Sequence, residues 1–171
     1  WIADGVPICT AAGFQTHPQL IPDGSGGAII TWYDQRAVNY DIYAQRIDAA
    51  GVTAWAADGV PICTAVGNQR YPQPIPDGSG GAIITWEDNR SGNYDIYIQR
   101  VDGSGAAQWT ADGVAICTAA GNQYLPQLIS DGSGGAIITW MDYRAGMADI
   151  CLLYTSPSPR DRTRSRMPSS A

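Results

Sequence analysis

Apolar positions along this chain come in short runs bounded by glycine, not at helical spacing. Ala28-Ile29-Ile30-Thr31-Trp32 follows Asp23-Gly24-Ser25-Gly26-Gly27, and Tyr40–Asp48 is a second run of strand-forming residues. Short runs rich in β-branched and aromatic residues, flanked by turn residues, predict β-strands. The glycine-rich stretch between two of them predicts a tight hairpin, because glycine takes the positive φ that such turns need. Asp48-Ala49-Ala50-Gly51 and Asp102-Gly103-Ser104-Gly105 predict another. No stretch long enough for a helix carries the period of about 3.6 residues that a helix requires.

The runs recur. Trp1, Trp55 and Trp109 are spaced by 54 residues, as are Trp32, Trp86 and Trp140. Laying residues 1–54 on 55–108 gives 37 identical positions. A unit of this size is one supersecondary motif that buries its faces by stacking on its neighbours. Within it, strands are expected near Pro18–Pro22, Ala28–Asp34, Tyr40–Asp48 and Thr53–Ala57, the last resuming at Val60–Cys63. Four antiparallel strands per unit describe a propeller blade. The expected fold is therefore all-β: a β-propeller fragment, an open arc of about three blades, short of the roughly 4–8 that close a ring. Residues 1–17 read as the last strand of a preceding blade and a connector. Residues 18–71 and 72–125 read as full blades, and 126–150 as a truncated one.

Residues 151–171 break the pattern, with Arg alternating with Ser and Pro. They resemble a translated transposase-library sequencing adapter, so they are expected to be a non-native, disordered tail on a gene fragment. Any signal peptide would lie outside such a fragment.

Charge narrows the partners. The full chain carries −6, and residues 1–150 carry −9. There is no Lys, and Glu87 is the only Glu. An acidic, lysine-free chain excludes a nucleic-acid backbone as the expected partner, since that contact rests on Lys and Arg. No apolar run reaches the roughly 18 residues of a membrane helix.

The run Pro18-Gln19-Leu20-Ile21-Pro22-Asp23-Gly24, with Asp34-x-Arg36 and Asp41-Ile42-Tyr43-x-Gln45-Arg46, resembles repeats of secreted bacterial propellers of the sialidase-like, Asp-box group. Asp48-x-x-Gly51-x-x-x-Trp55 and Asp102-x-x-Gly105-x-x-x-Trp109 occupy the place of the Asp box. Their spacing is longer, and Arg46 or Arg100 stands where that box begins with Ser. The resemblance implies a secreted or cell-surface protein, with ligands bound on the face shared by the strand two-to-three loops and the connections between blades.

On that face the copies differ: Phe14/Asn68/Asn122, Thr16/Arg70/Tyr124, His17/Tyr71/Leu125 and Gln35/Asn89/Tyr143. A constant scaffold with diverse loop tips marks a binding surface. The candidate ligand residues are Arg70, Tyr71, Asn89, Tyr124 and Tyr143. Arg36, Arg90 and Arg144 join them because an Arg fork grips a carboxylate or sulfate. Recurrence in every copy also fits a repeated ion pair, with Arg36 expected to meet Asp41 across the hairpin. Asp34, Asp88, Asp142, Trp32, Trp86, Trp140, Asp48, Asp102, Trp55 and Trp109 are assigned to the repeat framework.

No catalytic residue, metal ligand or cofactor is assigned. A lone Glu87 does not make a glycosidase pair. One carboxylate per Asp-Gly-Ser-Gly-Gly turn falls short of a calcium site. Cys9, Cys63 and Cys117 recur at one blade position and are expected as thiols packed between blades. The leading expectation is a non-catalytic binding or adhesion module for a glycan or protein at the cell surface, with further blades of the same chain as its structural partners. The alternatives are a fragment of a sialidase-like glycoside hydrolase with catalytic residues in other blades, and a structural spacer.

Overall fold

The computed structural model describes residues 3–155. The strands are β1 (Gln15–Pro22), β2 (Ala28–Asp34), β3 (Asp41–Ile47), β4 (Val60–Cys63), β5 (Gln69–Pro76), β6 (Ala82–Asp88), β7 (Asp95–Val101), β8 (Val114–Cys117), β9 (Gln123–Ser130), β10 (Ala136–Asp142) and β11 (Asp149–Tyr154). They form three antiparallel sheets: β1-β2-β3-β4, β5-β6-β7-β8 and β9-β10-β11. The described residues include no helix long and apolar enough to cross a membrane.

The hairpin turn expected at Asp23–Gly27 forms. Asp23 Oδ1 accepts from the backbone N–H groups of Ser25 and Gly27, both at 2.8 Å. A side chain on Gly27 would meet the Ile47 carbonyl oxygen at 2.0 Å, so only glycine fits. Asp23 Oδ2 takes Arg46 Nε at 2.9 Å. The backbone donors, then Arg46, hold this carboxyl below its usual range.

Two strand expectations need correction. The first strand of each unit begins earlier than Pro18, at Gln15, Gln69 and Gln123. The fourth forms where it was expected to resume, at Val60–Cys63, but not over Thr53–Ala57, where Thr53 makes only an isolated bridge to Ile47. A side chain does the pairing there. Buried Gln45 accepts from Trp55 N–H at 3.0 Å and donates to the Ala56 carbonyl at 2.7 Å. Gln99 repeats this with Trp109 and Thr110.

The segment after Ile150 also departs from expectation. Cys151–Tyr154 pairs in register with Ile137–Trp140 and completes β11. Its apolar residues extend a strand that begins before the change in composition. The rest of the tail expected to be disordered, 156–171, lies outside the described residues.

Two apolar clusters join the sheets. Ile29, Ile42 and Ala44 of the first sheet pack with Ala82, Ile84 and Trp86 of the second. Ile83, Ile96 and Ile98 of the second pack with Ala136, Ile138 and Trp140 of the third. These are the same positions one repeat on, so one interface is built twice. Each fully buried Ile contributes about 2 kcal/mol relative to an exposed one.

Candidate functional site

Asp34 sits at the end of β2 with no exposed surface. Its Oδ2 accepts from Trp32 Nε1 at 2.8 Å and Arg36 Nη2 at 2.7 Å, and its Oδ1 from Arg36 N and Nε. Burial alone would raise this carboxyl. The Arg36 fork and the Trp32 indole outweigh it and hold it below the usual range. Arg36 also donates to the Asp58 carbonyl at 2.7 Å and lies 3.7 Å over the Tyr43 ring. Asp88, Trp86, Arg90, Asp112 and Tyr97 repeat the arrangement.

The expected Arg36–Asp41 pair is therefore not the one that forms: Arg36 takes Asp34, two residues before it. Asp41 is the cross-strand partner of Asp34. Burial, then the charges of Asp34 and Asp112, push its carboxyl up to about 6. Asp95, the equivalent in the second sheet, is also raised by burial but accepts from Ser91 Oγ at 2.6 Å. Arg36, Arg90 and Arg144 are all bound to Asp in this way. As ligand residues they start from an engaged guanidinium.

The recurrent cysteines touch this hub. Cys63 Sγ lies 3.1 Å from Arg90 Nη2 and 3.7 Å from Asp88 Oδ2. Cys9 and Cys117 take the same position against Arg36 and Arg144. All are free thiols, and burial pushes Cys63 up to about 12. Among the described residues, no group of His, Cys, Asp and Glu is placed to hold a metal ion.

Two of the four variable sets, Thr16/Arg70/Tyr124 and His17/Tyr71/Leu125, lie at a β-bulge in each first strand. The register of β1 on β2 shifts between Thr16 and Gln19, and β5 and β9 shift at the same place. His17, Tyr71 and Leu125 adopt φ of 54°, 54° and 53° there. A non-glycine residue in this left-handed region costs about 1 kcal/mol, and such strain collects at functional sites. A bulge bends its strand and re-aims a side chain there.

Around it two aromatic groups form. His17 stacks on Tyr33 at 4.7 Å and meets Tyr71 edge-on at 5.1 Å. Tyr94 lies 5.6 Å from Tyr124, which meets Tyr143 at 6.0 Å. Arg70 joins them, 4.3 Å over Tyr94 and 5.6 Å from Tyr71. Arg70 Nε is buried with no hydrogen-bond partner. Its cross-strand partner Glu87 is buried and accepts from Leu125 N–H at 2.9 Å. Burial raises the Glu87 carboxyl, and the Leu125 N–H and Arg70 oppose the rise.

Arg70, Tyr71, Tyr124 and Tyr143 thus come together. Asn89 stands apart as a turn residue, its Nδ2 donating to the Gly92 carbonyl. Asn68 and Asn122 leave the set of variable tips. Their Oδ1 atoms accept from Tyr40 N–H at 3.1 Å and Tyr94 N–H at 3.0 Å, tying each sheet to the one before. Phe14, at the equivalent position in the first sheet, is exposed. Tyr40, edge-on to Tyr33 at 5.1 Å, and Tyr94 belong to the same aromatic groups, and sequence comparison passes over them because they are constant between copies.

A cavity of 970 Å³ lies elsewhere, between Gly5–Ile8 and Ile47–Thr53 on the outer face of the first sheet. On the second sheet the equivalent ground is taken by Trp55, whose Nε1 donates to the Gly103 carbonyl at 3.0 Å and which packs against Gly105. The cavity is a notch between repeats, distant from the bulge cluster.

No protein-family model matches this chain, and no curated protein is similar to it at a significant level.

Proposed function

We propose that the three sheets are blades of a propeller and that the chain is a secreted or cell-surface binding module, its ligand a glycan or a protein. The sheets share one up-and-down strand order and one interface repeated between neighbours, as radially stacked blades do. The bulge ends of β1, β5 and β9 then form the ligand surface. The observation that carries this reading is a contrast at adjoining positions. The Trp-Asp-Arg hub and the Gln45 and Gln99 brackets are the same in successive sheets. The strained bulges beside them carry Thr16-His17, Arg70-Tyr71 and Tyr124-Leu125.

Aromatic faces beside an Arg suit the apolar face of a sugar ring or an extended peptide. Glu87 Oε1 accepts from the Leu125 backbone, tying β6 to the bulge of β9. The tail from Cys151 is proposed to be adapter-derived. Its first residue stands where the other units place Tyr43 and Tyr97 under an Arg.

The test is capture of the intact chain on immobilised extracellular glycans and proteins. Arg70→Ala and Tyr124→Ala are expected to lower captured signal at least about tenfold, the size of a lost aromatic or Arg anchor. Equal capture by wild type and both variants would overturn the reading.

A further inference from the structure

The carboxylates of this chain are sorted by end. Segments 10–17, 64–71 and 118–125 lead into β1, β5 and β9, and segments 35–40, 89–94 and 143–148 join the second and third strands of each sheet. Backbone bonds from Gln35 to Phe14, Asn89 to Asn68 and Tyr143 to Asn122 gather them at the bulge end. Residues 1–150 carry −9, yet none of these segments contains an Asp or Glu. The carboxylates that flank them in the first two sheets, Asp34, Asp41, Asp88 and Asp95, are buried, as is Glu87. Asp58 and Asp112 meet the connectors only at their start beside the fourth strand, where they accept from Thr10 and Thr64 N–H. The turns of the opposite end hold Asp23, Asp48, Asp77, Asp102 and Asp131.

One cation at the bulge end is not neutralised. Among the described residues Arg36, Arg46, Arg90, Arg100 and Arg144 each hold an Asp, whereas Arg70 makes no ion pair. Its Nε is buried without a hydrogen-bond partner. Arg70 stands in the middle sheet, where β5 packs against β1 on one side and β9 on the other, so both of its neighbours are present. A guanidinium keeps its charge at any ordinary pH, and an anion is what completes it.

The surface around Arg70 is uncharged. Val66, in the connector leading to Arg70, is 74% exposed, and Val38, in the loop before Tyr40, is 89% exposed. Leu125, whose N–H binds Glu87, is 55% exposed. The hydroxylated edge of a sugar gains little from such side chains. Tyr and Arg at the centre of an uncharged patch is instead the composition of protein interfaces, where charged residues are depleted from the core.

We propose that the bulge end docks a partner protein through an acidic segment, one carboxylate of which pairs with Arg70 while apolar side chains beside it pack on Tyr71, Tyr94 and the exposed Val38 and Val66. This rests on the bulge end being the ligand surface, and it narrows the ligand from a glycan or a protein to an acidic, partly apolar polypeptide. The charge pattern fits such a partner twice over. The acid-free end attracts it, and the acidic remainder of the chain repels it from other faces, which fixes where it lands.

The experiment selects a displayed library of short random peptides on the immobilised full chain, with polygalacturonate and dextran as glycan probes. Enriched peptides are expected to share an Asp or Glu with apolar neighbours. A synthetic copy of one is expected to bind at least about tenfold tighter than the same peptide with Asn or Gln in place of the acid, and to weaken by a similar factor on Arg70→Gln. Added salt is expected to weaken the charged peptide and leave the neutral one unmoved. The neutral peptide leaves the protein untouched, so the comparison decides even where Arg70→Gln fails to fold. Enriched peptides without acids, equal binding of the charged and neutral copies, or a folded Arg70→Gln that binds like wild type overturn the proposal. Capture of polygalacturonate or dextran without any peptide, lost on Tyr124→Ala, overturns it too but leaves the bulge end as the ligand surface. No capture of any probe counts against both.

Discussion

The guanidinium of Arg90 lies 4.0 Å over the ring of Tyr97 while its fork holds Asp88. Arg36 and Tyr43 repeat the geometry at 3.7 Å. In the third sheet Cys151 takes the ring's place, and Arg144 is the most exposed of the three arginines. Cys151→Tyr is therefore expected to raise the melting temperature, by the equivalent of about 0.5–1 kcal/mol for a partly exposed cation–π pair. Tyr97→Ala is expected to lower it by more, since the ring also stacks on Trp86. Thermal melts of the two variants check both signs.

Asp88 accepts from Trp86, Arg90 and the Arg90 backbone, and has no exposed surface. Asp88→Ala leaves a part-buried guanidinium and a buried indole N–H without their carboxylate. A loss of about 3–5 kcal/mol is expected in urea unfolding, the scale for breaking a buried pair. Asp48, which accepts from Ala50 and Val52 at an exposed turn, is expected to cost about 1 kcal/mol when changed to Ala.

Asp41 gives a pH dependence of definite sign. Its folded pKa is raised to about 6, so between about pH 4 and 6 the folded state binds more protons than the unfolded one. Stability then falls as pH rises through that window. Asp41→Asn removes the effect. It is expected to gain stability over wild type on going from pH 4 to pH 7, on the order of 1–2 kcal/mol. Asp34, whose pKa is lowered, acts oppositely and loses its contribution as pH falls below the usual carboxylate range. Urea titrations of wild type and Asp41→Asn at the two pH values separate them.

Gly59 packs directly on the hub. It has φ +87°, and a Cβ there would lie 2.6 Å from the Trp32 ring and 2.7 Å from the Ala44 carbonyl oxygen. Gly59→Ala is expected to destabilise by about 2 kcal/mol or more, combining backbone strain with overpacking. Gly78 has φ +79° but open space, so Gly78→Ala is expected to cost only about 1 kcal/mol. Chemical denaturation of the pair measures the difference.

Local features of the fold were legible in sequence. The Asp23–Gly27 turn closes on its own residues, and β2 and β3 are neighbours in the chain. What was misplaced depends on partners far apart. Asn68 answers to Tyr40, and Asn122 to Tyr94. Thr53–Ala57 stays out of the fourth strand, with the Gln45 side chain taking the Trp55 N–H. Repeat comparison found Arg70, Tyr124 and Tyr143 because they vary. It could not separate a tip such as Tyr124 from an inter-sheet clasp such as Asn122, nor pick out Tyr94, a constant residue placed beside them.

The central claim is that the varied bulge residues, not the repeated framework, bind the ligand. The most direct measurement probes one array of extracellular glycans and proteins with three chains: wild type, Arg70→Ala/Tyr124→Ala/Tyr143→Ala, and Ser104→Ala as a control at an opposite-end hairpin. Melting temperatures are recorded alongside. The account predicts a discrete set of ligands for wild type and the control, lost in the triple variant while it stays folded. The same pattern from a folded triple variant, or no capture by wild type, would contradict it.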